Sequence, residues 1–323
     1  MKGKTFFIII ILFTSLSFMW LWTTSNRNYV DLKYITPSQS SHVSVMNRYG
    51  LKVESDDDWI GHRFDLRRQH VKKLCSGDLY SKNTIDKANL IVVDEYKLMY
   101  CSVPKTGCSS WKRLFLVLHR LYNSTGDISP GQVHQTFKTL AKVTEAKAEE
   151  ILQTYTKFFF LRKPLDRVLS AYRNKIERND MAWKGIKKII VPKIKEMYRK
   201  NKSVDAELIK DYDSVTFQEF AQYLSDNKNT FLYPFEEHWR ETYRLCSPCE
   251  IDYDYIGHFD TLIEDSTFIL KTLNETHDFP AAGNPTNSSQ QSVLQNYYKQ
   301  LNFKEIERLK ERYRVDSLLL DSI

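Results

Sequence analysis

Two segments of the chain share one local design: a short apolar run, then a turn of cations and small polar residues, then an amphipathic helix. They are residues 98–122 and 157–176. The apolar runs fit buried strands, and the i, i+3, i+4 spacing that follows fits helices. Parallel strands that alternate with helices bring their carboxyl-terminal turns to one edge of the sheet. The sequence therefore predicts an α/β fold with a central parallel sheet flanked by helices and a ligand site at that edge.

The first turn has the composition of an anion cradle. Its residues are small, polar or cationic: Pro104, Lys105, Thr106, Gly107, Cys108, Ser109 and Ser110. A glycine lets the backbone approach a ligand closely, and the N–H groups that open a helix attract anions. We therefore predict a phosphate site with Lys105 as its fixed cation. The lysine precedes the glycine, so this is not the ATP-binding loop G-x-x-x-x-G-K-[ST]. The alternative is an ordinary strand–turn–helix with an exposed lysine.

The second turn places an arginine at the end of a strand and a serine two helical turns later. Pro164 suits the first position of the helix, whose polar side carries Arg167 and Ser170. Arg162 and Ser170 can meet one doubly charged group, which favours a phosphate monoester, with Arg167 assisting. The alternative is a solvated face of an ordinary helix. Two such turns on one chain predict a nucleotide held at both ends.

The two turns together resemble those of the sulfotransferases. More narrowly, the chain is similar to the Golgi carbohydrate sulfotransferases of the chondroitin 4-O, dermatan 4-O and HNK-1 group. The similarity covers about residues 90–320 and is strongest to the chondroitin 4-O branch. It rests on TKFFFLRKPLDRVLSAYRNKIE (156–177), PFEEHWRETYRLCSPCEIDYDYIGHFDTLIEDS (234–266) and, more weakly, LNFKEIERLKERYRVDSLLLD (301–321).

This resemblance implies a single P-loop-like sulfotransferase domain. It also implies 3′-phosphoadenosine-5′-phosphosulfate as the donor, with no metal, and a glycan hydroxyl as the acceptor. The first turn would bind the 5′-phosphosulfate, with Lys105 at the leaving oxygen, and Arg162 and Ser170 the 3′-phosphate. The 4-O position of N-acetylgalactosamine in chondroitin is the expected acceptor; dermatan or a glycoprotein glycan is the alternative. A non-catalytic luminal glycan-binding protein is a further alternative.

The chain departs from the chondroitin 4-O pattern at three places. Thr106 and Gly107 stand where that branch has Val-Ala, Lys163 where it has Asp, and Ser317 where it has an aromatic residue. Thr106 and Gly107 lie within the first turn and Lys163 follows Arg162, but Lys105 and Arg162 themselves are kept. They therefore bear more on the acceptor than on the donor.

A general base must take the proton of the acceptor hydroxyl, and histidine is the usual group for that task near neutral pH. We prefer His134, in a Gly/Pro-rich loop, over His238 in the EEHWR segment. Glu236 and Glu237 are weaker candidates. A structural role for either histidine is the alternative. A kinase-like enzyme would instead need paired acidic metal ligands beside the first turn, and the sequence shows none there.

The N-terminus predicts a membrane anchor. Residues 6–22 are apolar or hydroxylic without charge, and Lys2 and Lys4 precede them. The length is at the short end for a membrane span, and the lysines place the tail in the cytosol. We therefore predict a cytoplasmic tail (1–5), a signal-anchor (6–22), a luminal stem (23–85) and a catalytic domain (86–323). The protein would be a single-pass type II Golgi protein. A cleaved signal peptide is the alternative.

Cysteines and sequons agree with a luminal chain. Five cysteines predict two disulfides and one free thiol, for which we choose Cys108; the pairing of the others stays open. Cys246 and Cys249 lack a second ligand pair, so zinc is not expected. N-glycosylation sequons begin at Asn123, Asn201, Asn274 and Asn287.

The net charge of +7 suits an anionic donor and an anionic glycosaminoglycan or glycoprotein glycan. It is too small to indicate a nucleic-acid partner. Positive charge concentrates at 184–195 and 198–203, which could hold an acidic polysaccharide or form a solvated basic helix. The sequence leaves homo-oligomerisation open.

Overall fold

The computed structural model describes residues 55–77, 84–134, 137–177, 184–199, 215–226, 236–280 and 286–321. The predicted tail and anchor (1–22), most of the predicted stem, Asn201 and most of the basic run 198–203 lie outside these residues. Within the described ranges, no helix combines the length and the apolar character that a membrane crossing needs. The predicted span at 6–22 therefore stays a prediction.

The described residues contain both strands and helices. The strands are β1 (Leu90–Val93), β2 (Leu98–Cys101), β3 (Thr156–Leu161) and β4 (Tyr255–His258). The helices are α1 (Asp56–Cys75), α2 (Cys108–Leu118), α3 (Glu145–Thr154), α4 (Pro164–Ala171), α5 (Lys184–Tyr198), α6 (Phe217–Ser225), α7 (Thr242–Cys246), α8 (Leu262–Thr272), α9 (Gln291–Tyr298), α10 (Phe303–Arg312) and α11 (Arg314–Leu320). One π-helical turn, Tyr172–Glu177, continues α4.

The four strands form one sheet in the order β1-β2-β3-β4. β2, β3 and β4 are parallel, as predicted, whereas β1 pairs with β2 in the antiparallel sense, so the sheet is mixed. The cause is the short connection 94–97, which ends on Lys97 in the left-handed region at φ 45°. A connection of this length allows only a hairpin, whereas parallel strands need a long crossover.

Both faces of the sheet are buried, which explains why its strands read as continuous apolar runs. On β3, Phe158 and Phe160 pack on the face that α2 covers through Trp111. Phe159 and Leu161 point to the opposite face. Because successive side chains of a strand point to opposite faces, this one run of phenylalanines packs into two separate parts of the core.

Side chains stabilise the backbone around two of the shorter helices. α7 begins at Thr242, after a turn in which the carboxylate of Glu236 accepts the main-chain N–H of His238 at 2.9 Å. Thr216 and Glu219 form a capping box at the start of α6.

Two disulfides connect distant parts of the chain. Cys75 pairs with Cys249, and Cys101 pairs with Cys246, while Cys108 keeps a free thiol. The predicted count and the predicted free cysteine are confirmed. Disulfides of this kind are typical of oxidising compartments.

A buried ion cluster holds α1 against the end of β4. Asp265 on α8 is wholly buried and accepts from Arg63 at 2.5 Å and from Arg67 at 2.7 Å. It also accepts from the hydroxyl of Thr261 and the main chain of His258. The compact unit spans Ile60–Ser322. The predicted boundary at residue 86, between a stem and a catalytic domain, stays a prediction.

Loss of the Asp265 charge should strongly destabilise the domain. We expect Asp265→Asn to lower the free energy of unfolding by about 3–5 kcal/mol, because Arg63 and Arg67 would stay buried without their counter-ion. Glu264→Gln is the matched control: Glu264 also pairs with Arg63, but its side chain is 43% exposed, so the cost should stay below about 1 kcal/mol. Urea unfolding of the full chain measures both. Equal losses would contradict the assignment.

Candidate active site

The fold brings the two predicted phosphate turns together. They follow β2 and β3, which are adjacent and parallel, so both turns lie at the same edge of the sheet. The guanidinium of Arg162 donates from Nη1 to the main-chain oxygen of Lys105 at 2.8 Å. Each turn therefore fixes the position of the other.

The first turn has a backbone that only a glycine fits at residue 107. Gly107 caps α2 with φ 89°, and a Cβ there would lie 2.7 Å from Cδ2 of Leu262. Lys105 also lies in the left-handed region, at φ 73°, a conformation that costs free energy and clusters at ligand sites. The first N–H groups of α2 have no acceptor within the helix. The turn therefore presents amide donors at a fixed place.

Not every hydroxyl of the first turn faces a ligand. Thr106 is fully buried and donates to the main-chain oxygen of Val103 at 2.8 Å, so it braces the turn. Ser110 is buried as well, whereas Cys108 and Ser109 are half-buried at the start of α2. Pro104 is buried, and its carbonyl accepts from Arg167. Among the predicted 5′-phosphate hydroxyls, Ser109 is the best placed.

Lys105 is held by the π-helical turn that follows α4. Its ammonium donates to Oδ1 of Asn174 at 3.1 Å. The next residue, Lys175, is buried, and its pKa is lowered to about 7, first by burial and then by the charge of Lys105. Glu236 and Glu237 oppose that shift. Single π-turns are frequent at functional sites, and this one sets a second lysine beside the first turn. Lys175 is not among the residues predicted for the site from the sequence.

Arg162 is a buried cation whose donors meet oxygens. Nη2 donates to the hydroxyls of Ser288 and Ser289, each at 2.9 Å, and the guanidinium lies over the ring of Phe259, 4.1 Å from its centroid. Its Nε has no acceptor among the described residues. Burial lowers the pKa of Arg162 to about 10, so the group stays charged at neutral pH.

Ser170 meets a third segment that the sequence did not connect with the site. Its hydroxyl lies 3.0 Å from that of Thr286. Arg173 donates to the main-chain oxygen of Thr286. The residues around Thr286 are mostly polar, and nothing in their spacing indicates that this segment packs against α4.

Arg167 lies deeper than predicted. It is 2% exposed, and it donates to the main-chain oxygens of Pro104, Arg240 and Glu237 at 3.0, 2.6 and 3.0 Å. It thereby links the first turn to the EEHWR segment. Its predicted contact with a phosphate stays a prediction, and the structure gives its guanidinium three protein partners.

Of the two candidate bases, the structure sets His238 near the phosphate turns. Its Nδ1 lies 2.6 Å from Oε1 of Glu236, and burial lowers its pKa, which favours the neutral ring at neutral pH. A carboxylate at Nδ1 favours the proton there and leaves the lone pair at Nε2. The charge of Lys175 also acts on His238.

His134 ends the short 3₁₀ turn Gln132–His134. The preceding Val133 packs on Leu116 and Val117. These residues lie at the carboxyl end of α2, whereas the phosphate turn precedes its amino end. The structure therefore does not bring the backbone of His134 to the first turn.

An acidic pair comes close to the first turn only in the folded chain. Ligand atoms of Glu236, Glu237 and His238 lie within 4.8 Å of one another, an arrangement that could hold a cation. The two carboxylates also act on Lys175. No acidic pair stands beside the first turn in the sequence, because Glu236 and Glu237 lie more than a hundred positions away from it.

Three of the predicted sequons can be located. Asn123, Asn274 and Asn287 are exposed. Asn287 has φ 50° and stands between the hydroxyl residues near Arg162 and Ser170. Occupancy of all four sequons stays a prediction.

The pKa of Lys175 predicts a specific pH dependence. Because that pKa is about 7 in the folded chain and about 10.4 when unfolded, the unfolded state binds more protons between these values. The stability of the wild type relative to Lys175→Met should therefore rise above pH 7, by up to about 1.4 kcal/mol per pH unit, and stay level below it.

Urea unfolding of both proteins from pH 6 to pH 9 measures this difference. Lys188→Met, which changes an exposed lysine on α5, serves as the control and should run parallel to the wild type. A difference between wild type and Lys175→Met that does not vary with pH would contradict the assignment.

Comparisons with known proteins agree with this geometry. The profile described as "Sulfotransferase family" matches residues 88–321. Carbohydrate sulfotransferase 11 of Rattus norvegicus is 31% identical over 283 residues, covering 84% of this chain and 78% of the rat protein. Carbohydrate sulfotransferase 10 of Xenopus laevis is 31% identical, covering 86% and 83%. Carbohydrate sulfotransferase 8 of Homo sapiens is 32% identical, covering 82% and 64%. No solved structure matches. The chain therefore belongs to the sulfotransferase family and is a homologue of the carbohydrate sulfotransferases.

Proposed function

We propose that the chain transfers a sulfuryl group from 3′-phosphoadenosine-5′-phosphosulfate to a hydroxyl of a carbohydrate. The observation that carries the proposal is the 2.8 Å hydrogen bond from Arg162 to the main chain of Lys105. It joins two turns, each with its own cation, at one edge of the sheet. A ligand with two separate phosphate positions fits such a pair.

The donor would lie across the carboxyl ends of β2 and β3. Its 5′-phosphosulfate meets the amide N–H groups that open α2, together with Lys105 and Ser109. Its 3′-phosphate meets Arg162 and Ser170. Buried guanidinium and hydroxyl groups favour a doubly charged phosphate monoester.

The reaction moves SO₃ in line from one oxygen to another. The bond between sulfur and the bridging oxygen of the 5′-phosphate breaks, and a bond between sulfur and the acceptor oxygen forms. The bridging electron pair stays on the departing phosphate. The acceptor proton passes to a base. Lys105, fixed by Asn174 at 3.1 Å, neutralises the charge that develops on the phosphate. Electrostatic stabilisation of this kind is usually the largest single contribution to catalysis.

His238 is the base that the contacts favour. Glu236 orients its ring through Nδ1 at 2.6 Å, and the lowered pKa favours a neutral imidazole that can accept a proton. An imidazole oriented by a carboxylate is the usual arrangement for proton abstraction from a hydroxyl. His134 stays the other candidate for the general base. It lies near the carboxyl end of α2, so it could act only if the acceptor entered from that end.

We propose that no metal takes part. Lys105 and Lys175 already supply positive charge beside the first turn, and either would repel a divalent cation held by Glu236 and Glu237. EDTA should leave both donor binding and turnover unchanged. Loss of turnover on chelation, restored by Mg²⁺, would favour the kinase-like alternative.

The acceptor and the location complete the proposal. Similarity to the chondroitin 4-O branch through 234–266 favours the 4-O position of N-acetylgalactosamine in chondroitin. The homologues' names support a carbohydrate acceptor. Two disulfides and exposed sequons support a luminal domain, and the uncharged run 6–22 supports a type II Golgi membrane anchor.

Substitution of Lys105 should mainly lower turnover, whereas substitution of Arg162 should mainly weaken nucleotide binding. Lys105→Ala should lower kcat by about 10²–10³-fold and weaken binding of 3′,5′-adenosine bisphosphate only slightly. Arg162→Ala should weaken that binding by about tenfold or more, because a buried charged hydrogen bond to the 3′-phosphate is lost. Lys163→Ala is the control, since Lys163 pairs with Asp260 and is 58% exposed. Radiolabelled-donor assays and calorimetry of the full chain measure both. Matching losses in both quantities would refute the division of roles.

The acceptor is tested with the same labelled donor on a panel of desulfated polysaccharides. After digestion to disaccharides, label should appear on N-acetylgalactosamine O-4 from chondroitin. Equal labelling of dermatan, or label on glucuronate, would overturn the acceptor assignment and leave the donor assignment intact.

A further inference from the structure

The segment Thr286–Ser289 contributes a row of hydroxyls to the edge of the sheet where Arg162 and Ser170 lie. The Thr286 hydroxyl lies 3.0 Å from that of Ser170 and 3.0 Å from that of Ser288. Ser288 in turn accepts from Nη2 of Arg162 at 2.9 Å and is 1% exposed. The hydroxyls of Thr286 and Ser288 therefore connect Ser170 to Arg162, the two residues to which the resemblance assigns the 3′-phosphate.

The hydroxyls of this row have one more proton to donate than they have acceptors among the described residues. Ser170, Thr286 and Ser288 carry one hydroxyl proton each, and the row contains two hydroxyl–hydroxyl links. Two protons satisfy the two links, and Arg162 supplies its own proton to Ser288. One hydroxyl proton is left to donate outward. An added acceptor with several oxygens would satisfy it.

Cations bracket the row. Arg162 donates to Ser288, and Arg173 donates to the main-chain oxygen of Thr286. Two of the nearby carboxylates have their own cations: Asp260 pairs with Lys163 at 2.7 Å and Glu177 with Arg173 at 3.5 Å.

Asp166 is the carboxylate that most strongly supports the charge of Arg162, and Ser289 donates to it. The hydroxyl proton of Ser289 is therefore used in the hydrogen bond to Asp166. Thr286 and Ser288 carry the hydroxyls that face Ser170 and Arg162.

The backbone explains why both side chains point the same way. Asn287 lies between them in the left-handed region at φ 50°, and its oxygen accepts from the N–H of Gln290 at 3.1 Å. This tight turn brings residues 286 and 288 together on one side, while the side chain of Asn287 is exposed on the other.

We propose that Thr286 and Ser288 are direct ligands of the donor's 3′-phosphate, so that a third chain segment completes the subsite of Arg162 and Ser170. On binding, the hydroxyls turn from one another to the phosphate oxygens, while Arg162 keeps its place over Phe259. The inference rests on the proposed function.

The test compares two ligands that differ only in the 3′-phosphate. Full-length wild type, Thr286→Val and Ser288→Ala are titrated calorimetrically with 3′,5′-adenosine bisphosphate and with adenosine 5′-monophosphate, without Mg²⁺. Each variant should lose about tenfold in affinity for the bisphosphate, with less than a twofold change for the monophosphate. Ser289 is left unchanged because its substitution would also delete the sequon at Asn287.

Two controls separate the hydroxyls from their surroundings. Asn287→Gly removes the sequon, keeps every hydroxyl and tolerates the left-handed backbone at φ 50°, and Ser292→Ala removes an exposed hydroxyl on α9; both should bind the two nucleotides like the wild type. An unchanged bisphosphate affinity in Thr286→Val and Ser288→Ala, or equal losses for both nucleotides, overturns this inference. A wild type that does not prefer the bisphosphate overturns the proposed function instead.

Discussion

The arrangement of the site depends on one buried contact, between the guanidinium of Arg162 and the main-chain oxygen of Lys105. It joins two turns that lie 57 residues apart in sequence and next to each other on parallel strands. A guanidinium with several directed donors can hold a carbonyl and still present N–H groups to an anion. Because the sheet fixes both strand ends, the distance between the two turns is set before any ligand arrives.

The electrostatics of this edge follow from burial. Arg162, Arg167 and Lys175 are all nearly inaccessible to water, and burial is the largest cause of the lowered pKa of each. Buried cations cost free energy that an anionic ligand can recover. Hydrogen bonds to main-chain oxygens offset this cost for Arg167. Lys175 instead lies among the charges of Lys105, Glu236 and Glu237. A multiply charged donor would raise the protonation of Lys175 and so strengthen its own binding.

Features that depend on residues close together in sequence can be predicted from the sequence, whereas contacts between distant segments cannot. The glycine at the start of α2, the capping box at Thr216 and the free thiol of Cys108 each depend on near neighbours or on a simple count. The antiparallel β1 could have been predicted from its short connection to β2.

The approach of Thr286 and Ser288 to Arg162 could not be predicted, because more than a hundred residues of folding separate them. The approach of Glu236 to Lys175 could not be predicted either, because about sixty residues separate the two in sequence. The departures at Thr106 and Gly107 acquire a reason only in the fold: one residue braces the turn, and the other leaves room for Leu262.

The most direct test of the account is a crystal structure of the chain with 3′,5′-adenosine bisphosphate bound. The account predicts the 5′-phosphate within about 3.2 Å of the amide nitrogens that open α2, and the 3′-phosphate at the same distance from the guanidinium of Arg162. A nucleotide with either phosphate bound away from these two turns would contradict it.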